Sequence, residues 1–309
     1  MTAYLGSGPY CYASSLAMML GESSPPPRVL EVLTGAPFGF ALFEGTLPFF
    51  DPYGWSPEIG LDAAIDLLGW TCHRSDGRDA GEARARLTAA LAEGPVLAGP
   101  LDMSLLLHQP GTPADYVADH YVVVLAIRDG TVVLHDPHGH PYATLPVGAF
   151  LDAWRGAGVS YLDSGYRLRT GFSVRDKVSE SEALRRSLPS AIRWLTGRAD
   201  LAVPPGTLGG VAAVERLAEQ VEAGLPDEIH DHLVHFAIRL GARRLADAAT
   251  CLASLGLDAA AAVATGQARL AGALQYPMVT GDFAAAATIL RQLAPGYERL
   301  AEALRAGSS

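Results

Sequence analysis

The stretch from Asp119 to Pro137 constrains this chain more than any other. Tyr121 to Ile127 and Thr131 to Leu134 are runs rich in Val, Leu and Ile, and the Asp129-Gly130 pair between them is the strongest local signal for a β-hairpin. With a three-residue loop, Arg128 to Gly130, Ile127 pairs with Thr131, Val122 with Asp136 and His120 with His138. His120 and Asp136 are then diagonal neighbours on one face, roughly 7–8 Å apart at Cβ and within side-chain reach. A two-residue loop turns them to opposite faces, because side chains alternate along a strand. A histidine oriented by an aspartate is half of a nucleophilic site.

Cys11 is the candidate for the other half. Gly8 to Gly21 reads as a helix with Pro9 near its first position and Gly21 at its end. Cys11 falls in the first turn, where unpaired backbone N–H groups and the helix dipole favour a thiolate. A histidine partner activates such a thiol further. A lone cysteine is more often a small apolar core residue, and a lone histidine at a strand start is more often structural. Cys11, His120 and Asp136 taken together point to catalysis, with Tyr10 and Tyr12 flanking the nucleophile as candidate substrate contacts.

Composition sets the bounds. The 309 residues suffice for two domains with ample cores, and hydrophobic residues make up 49% against 18% charged, which excludes a disordered chain. A net charge of −10 argues against nucleic acid as the main partner. Three scattered cysteines, Cys11, Cys72 and Cys251, suggest neither a disulfide framework nor a zinc ribbon. The amino terminus lacks a signal-like core, no propeptide is visible, and no apolar run is long enough to span a membrane; a cytoplasmic location is the expectation.

In chain order, Gly35 to Trp55 strings aromatic residues between Gly and Pro without a clean period, and reads as an ordered irregular loop. Its aromatics either plug a core or line a pocket beside Cys11. Ser56-Pro57 starts a helix, Trp70 to Ser75 is a strand, Ala80 to Ala92 a helix and Pro95 to Gly99 a buried strand. Leu101 to Ala118 is mostly loop and carries Asp102 and His108, both candidate substrate contacts, towards the hairpin. Leu145 to Trp154 is a short helix and Tyr166 to Val174 a last strand. A polar run at Arg175 to Glu182 marks the domain boundary. Beyond it lie helices at Glu182–Leu195, Gly209–Gly224, Asp227–Leu240, Arg244–Gly256, Asp258–Leu274 and Thr280–Ala306, the last broken near Pro295. The fold class is thus α+β over residues 1–175, a cysteine helix plus an antiparallel sheet, followed by an all-α bundle over 176–309. Glu228, His232 and His235 share one helix face, which reads as a substrate-facing stripe or an exposed helix start rather than a metal site.

The early Cys helix, the His-led strand and the Asp-Pro sixteen residues after that His resemble the papain-like cysteine peptidases that remove double-glycine leaders. Pro95 to Trp154 is similar to the amino-terminal domain of the butirosin biosynthesis protein H family, and the helical region resembles that family's carboxy-terminal domain. The resemblance implies a papain-like cysteine-protease fold. It also implies an acyltransferase that moves an acyl group from a carrier-protein thioester to an amine in natural-product biosynthesis. Leu5 stands where the leader peptidases carry an oxyanion glutamine, which disfavours leader proteolysis. The expected chemistry is acyl transfer by Cys11, with His120 as base and acid, Asp136 fixing the imidazole, and the Cys11 N–H as one oxyanion donor. Ser7, Ser14 and a backbone group stand open for the second donor. A papain-like peptidase or amide hydrolase is the alternative, and a non-catalytic binding protein on such a fold is a third reading. No cofactor or metal is called for. The expected partners are a small-molecule acyl acceptor, an acyl carrier protein and a second copy of the chain, with neither nucleic acid nor membrane. Arg185, Arg186, Arg193 and Arg198 are the candidate basic patch for an acidic carrier.

Overall fold

The computed structural model describes residues 2–6, 8–110, 118–198 and 200–307. The chain runs α1 (Cys11–Leu20), α2 (Pro27–Leu33), β1 (Ala41–Phe43), β2 (Leu47–Phe49), α3 (Pro57–Leu67), β3 (Trp70–Gly77) and α4 (Ala80–Glu93). Next come β4 (Val96–Asp102), β5 (Asp119–Arg128), β6 (Thr131–Asp136), β7 (His140–Pro146), α5 (Val147–Trp154) and β8 (Gly165–Val174). The helical region holds α6 (Glu180–Thr196), β9 (Leu208–Gly209), α7 (Gly210–Ala223), α8 (Asp227–His232), a π-helical turn (Leu233–Ala237) and α9 (Ile238–Ser254). It ends with α10 (Asp258–Ala273), α11 (Gln275–Thr280), α12 (Phe283–Leu293) and α13 (Gly296–Gly307). The result is a mixed α/β protein with antiparallel sheets and a carboxy-terminal helical region.

Two compact units emerge. The first joins the residues up to Pro27 with Gly69–Lys177; the second joins Arg28–Leu68 with the residues from Val178 on. One division falls after Lys177, and Arg28–Leu68 goes with the helices and not with the sheet. The reason is long-range pairing that no local pattern announces. Glu31 of α2 is fully buried and its carboxylate accepts from Arg244 Nε of α9 at 2.6 Å. The same guanidinium binds the Phe50 carbonyl at 3.1 Å and the Asp51 carboxylate, and lies over the Trp55 ring. Phe38, Phe40 and Phe50 are buried, with Phe40 edge-on to Phe50 and near Tyr297 of α13. The irregular loop is therefore core for the second unit, and it holds β1 and β2, which pair with each other and, through β1, with β9.

In the same unit the helix expected over Asp227–Leu240 widens into the π turn, whose Val234 carbonyl accepts from Gln275 Nε2 at 2.9 Å. The helix expected over Thr280–Ala306 is divided. Gly281 closes α11 in the left-handed region, and the Asp282 carboxylate caps α12 by accepting from the Ala285 N–H at 3.1 Å. Among the described residues no helix is long and apolar enough to cross a membrane.

The first unit is built on a six-stranded antiparallel sheet in the order β3-β8-β4-β5-β6-β7. Every residue of β4 is buried, as is β5 from His120 to Val124, so these central strands are covered on both faces. Helix α1 packs on β5, where Ser15 Oγ donates to the Tyr121 carbonyl at 3.1 Å and Tyr12 meets the Tyr121 ring edge-on. Leu87 of α4, with Phe150 and Trp154 of α5, fills one core with Val96, Val122, Leu134 and Leu168. Each such buried side chain contributes about 1.5–3 kcal/mol.

The β5–β6 hairpin reaches the expected register by an unexpected route. Its loop has two residues: Asp129 and Gly130 both take positive φ, and Arg128 pairs with Thr131. Left uncorrected, that turn would set His120 and Asp136 on opposite faces. A register shift between Val124 and Ala126 corrects it, because the extra residue Leu125 has no partner in the ladder. Beyond the bulge Val124 pairs with Leu134 and Val123 with His135, which is the register of a three-residue loop. Strand β7 carries no apolar alternation, and the sequence reading lacks it. It returns through Asp136-Pro137-His138-Gly139, a turn whose residue types suit a type I turn, with Asp136 paired to His140 and Gly139 at φ 102°.

Candidate active site

The cysteine, histidine and aspartate meet in the first unit. Cys11 opens α1, with Tyr10 as the preceding cap residue, and its side chain is half-buried. The Tyr10 carbonyl already accepts the first helical bond, from Ser14 N–H at 2.9 Å, so the Cys11, Tyr12 and Ala13 N–H groups lie at the open end of the helix. His120, at the start of β5, is 4% exposed, and its Nε2 lies 2.7 Å from Asp136 Oδ1. The ring is close enough to Cys11 for the thiol to act on its protonation as a hydrogen-bonding and charged neighbour. With Nε2 spent on the carboxylate, Nδ1 is the nitrogen left for the sulfur. The imidazole thus has the carboxylate on its Nε2 side and Cys11 as a further neighbour.

Asp136 is fully buried and receives four donors. On Oδ1 these are His120 Nε2 and the His138 backbone N–H at 2.8 Å, the latter a bond to the residue two positions on that the Asp-Pro turn itself provides. On Oδ2 they are His108 Nε2 at 2.7 Å and Gln109 Nε2 at 2.5 Å. The Asp136 carbonyl accepts from the Tyr4 hydroxyl at 3.1 Å, and the same hydroxyl accepts from the Gly139 N–H at 3.0 Å, so the amino-terminal residues clamp the turn.

Electrostatics follow from this geometry. Burial alone would push His120 below its ordinary value. The Asp136 charge and hydrogen bond, with the Cys11 contact, outweigh burial and raise it to about 10. Burial would raise Asp136, but the His120 charge and the bonds from His108, His120 and His138 hold it well below the ordinary carboxylate value. His120 therefore contributes stability that is complete below pH 6.5 and is lost as pH rises through about 10. The Asp136 contribution is complete above pH 3.8 and is lost as pH falls through its lowered value.

His135, beside Asp136, behaves in the opposite sense. Its Nδ1 accepts the Tyr142 N–H at 3.1 Å, so Nε2 carries the proton and donates to the Thr2 carbonyl at 3.2 Å. Burial lowers its pKa, against a smaller upward pull from the Thr2 contact. Stability from this group is thus complete above pH 6.5 and declines as pH falls through the lowered value. His135→Asn keeps an acceptor for the Tyr142 N–H without a titrating ring. The expected result is a smaller loss in urea midpoint between pH 7 and pH 5 than in the wild type; an equal loss would assign the acid sensitivity elsewhere.

The remaining sequence candidates lie as follows. Tyr10 and Tyr12 are buried, Tyr12 against Tyr121. Asp102 is buried, and its Oδ1 accepts from the Ser104 N–H at 3.0 Å and Oγ at 2.6 Å, so its carboxylate caps a turn. His232 and His235 belong to the second unit; His232 Nε2 bonds the Pro48 carbonyl at 2.9 Å and His235 is exposed. Of the oxyanion options, Ser14 is buried on α1, and Ser7 lies outside the described residues. Each arginine of the candidate basic patch makes a local contact: Arg185 to the Leu255 carbonyl, Arg186 to Glu182, Arg193 to Ser190 and Arg198 to Asp200. Gln109 escaped the sequence reading, and His108 appeared there as a candidate substrate contact on a loop, not as a partner of Asp136. Neither sits on a periodic segment; the first glutamine of the chain serves Asp136.

A family model described as the YobF C-terminal domain matches residues 204–305, the segment from just before β9 into α13. The uncharacterized protein YobF of Bacillus subtilis (strain 168) is 28% identical over 254 residues, 80% of this chain and 80% of that protein. These similarities overturn the resemblance to the butirosin biosynthesis protein H family, which neither supports. Only three positions were specific to that resemblance, and a Cys-His-Asp set follows from the needs of thiol chemistry on unrelated folds.

Proposed function

We propose that this protein is a cysteine-nucleophile acyl-transfer enzyme with Cys11, His120 and Asp136 as its catalytic residues. One observation carries the reading: a half-buried thiol at a helix amino terminus neighbours a buried imidazole whose Nε2 is held by a buried carboxylate. The arrangement is papain-like in kind, with the nucleophile on a helix and its two partners on an antiparallel sheet. A protonated His120 beside the sulfur supplies a counter-charge and a proton donor. Sγ attacks the carbonyl carbon of a thioester or other activated acyl donor, and the carbonyl electron pair moves to oxygen. The Cys11 N–H at the open end of α1 receives that charge. Collapse expels the leaving group, which takes the His120 proton, and leaves an S-acyl cysteine. An amine then attacks this thioester, gives its proton to His120 and departs as an amide while the thiolate reforms. Asp136 holds the ring through both steps and stays ionised. Water in place of the amine makes the same site a hydrolase.

The test is a mass increase. Incubation with simple acyl thioesters is expected to add one acyl group on the peptide that contains Cys11, with Cys72 and Cys251 unmodified, and Cys11→Ala is expected to abolish it. Discharge to amides across an amine panel identifies a transferase, and discharge to free acid at one rate whatever the amine identifies a hydrolase. A Cys11 that gains no acyl group from any thioester or ester refutes the reading.

A further inference from the structure

The four donors on Asp136 fall into two pairs, and only one is explained by the partnership with His120. His120 and the His138 N–H occupy Oδ1. His108 and Gln109 occupy Oδ2, adjacent side chains on the segment that leaves β4. We propose that His108 and Gln109 are positioning residues that hold the Asp136 carboxylate in the orientation serving His120, an inference that rests on the acyl-transfer reading.

A carboxylate can rotate about its last bond and exchange its oxygens. An ionised Asp136 only accepts, so His108 must carry its proton on Nε2 and Gln109 must present its amide nitrogen. Two donors fixed on Oδ2 leave Oδ1 as the single acceptor facing His120, and they supply the hydrogen bonds that a fully buried anion needs in place of water. The His108 ring is spent on this contact. Its side chain is 8% exposed, and its Nδ1 is buried with no hydrogen-bond partner among the described residues. A buried imidazole that leaves one nitrogen unsatisfied and gives the other to a catalytic carboxylate is a costly way to fill space, and such costs cluster at working sites. The neighbouring Leu106 is buried in the core of the first unit, which fixes the base of the segment two residues before His108.

The experiment follows Cys11 and His120 separately in the full chain. Alkylation of Cys11 by iodoacetamide is measured from pH 5 to pH 11 and mapped by mass, while the His120 ring is titrated by NMR, a readout that needs no reactive sulfur. In the wild type the loss of the His120 proton is expected near pH 10 in both records. His108→Ala is expected to move it down by at least about 1 unit, towards the free histidine value, as the carboxylate loses its grip. Gln109→Ala is expected to move it in the same direction. His108→Gln, whose amide nitrogen reaches as far as Nε2, is expected to restore most of the wild-type profile. Should His108→Ala fail to fold, Gln109→Ala and His108→Gln carry the test.

Folded variants with an unchanged His120 titration overturn the proposal. A fall in stability with no shift in that titration also overturns it and leaves a purely structural role. If wild-type Cys11 alkylates no faster than Cys72, and His120→Ala leaves its rate unchanged, the acyl-transfer reading fails instead. The NMR titration then still decides whether His108 and Gln109 orient the carboxylate.

Discussion

Asp136→Asn is expected to slow acylation of Cys11 by about 10³–10⁴-fold, the loss typical when the group orienting a catalytic imidazole is replaced by its amide. Asparagine keeps the shape and removes the one property the site uses. Four donors converge on the wild-type carboxylate. An amide offers one oxygen and one NH₂ group. Facing the His120 and His138 pair, the NH₂ meets two donors; facing the His108 and Gln109 pair, it forces that imidazole to change tautomer and that amide to turn over. If it faces His120, the ring must shed its Nε2 proton to accept, and Nδ1 then carries a hydrogen where the thiol needs a base. Stability should fall as well, by about 3–5 kcal/mol, the usual cost of breaking a buried ion pair from one side. Both effects are read from acyl-adduct formation and urea unfolding of the same variant. An Asp136→Asn protein that acylates within about tenfold of the wild type, far short of that loss, would remove Asp136 from the mechanism.

The second large effect lies in the helical unit and should leave the chemistry alone. Arg244→Met is expected to destabilise by about 3–5 kcal/mol, because it removes the guanidinium that pairs with the fully buried Glu31. The lost bonds reach α2, through Glu31, and the segment at Phe50 and Asp51, so the variant detaches α9 from two chain regions at once. Adding Glu31→Leu to Arg244→Met should recover part of the loss, since the buried carboxylate that lost the guanidinium is then gone. Urea midpoints for the two single variants and the double variant form the cycle. A double variant no more stable than Arg244→Met would mean that the guanidinium acts through its Phe50, Asp51 and Trp55 contacts rather than by neutralising Glu31.

Much of the first unit can be read from residues alone because the deciding chemistry is local. Asp129-Gly130 dictates a tight turn, since both residues must take positive φ. Ser56 and Pro57, in the second unit, start α3 by the same kind of local rule, with Ser56 Oγ accepting from the Ile59 N–H. Leu145 to Trp154 reads as one helix where the chain has the end of β7 plus α5, because Val147–Trp154 has a helical pattern and β7 has no pattern of its own. Cys11, His120 and Asp136 are picked out as the candidate site by residue type and order, and the fold sets His120 Nε2 2.7 Å from Asp136 Oδ1. The family resemblance drawn from those same residues is not a sound guide, since three positions shared for chemical reasons say little about descent.

Strands, turns and helix starts thus follow from short runs of residues, since each depends on a few consecutive dihedral preferences. Which of these elements meet is settled only when the chain is folded. A two-residue turn predicts the wrong parity for His120 and Asp136, and the bulge at Leu125 that reverses it is a property of two strands paired together. Arg28–Leu68 joins the helices because Arg244, 193 residues beyond Asp51, supplies the cation for Glu31 and Asp51. His108 and Gln109 reach Asp136 from an irregular segment 28 and 27 residues away in sequence. Contacts of that range carry no local periodicity; they exist because a buried charge must find its partners wherever the fold has brought them.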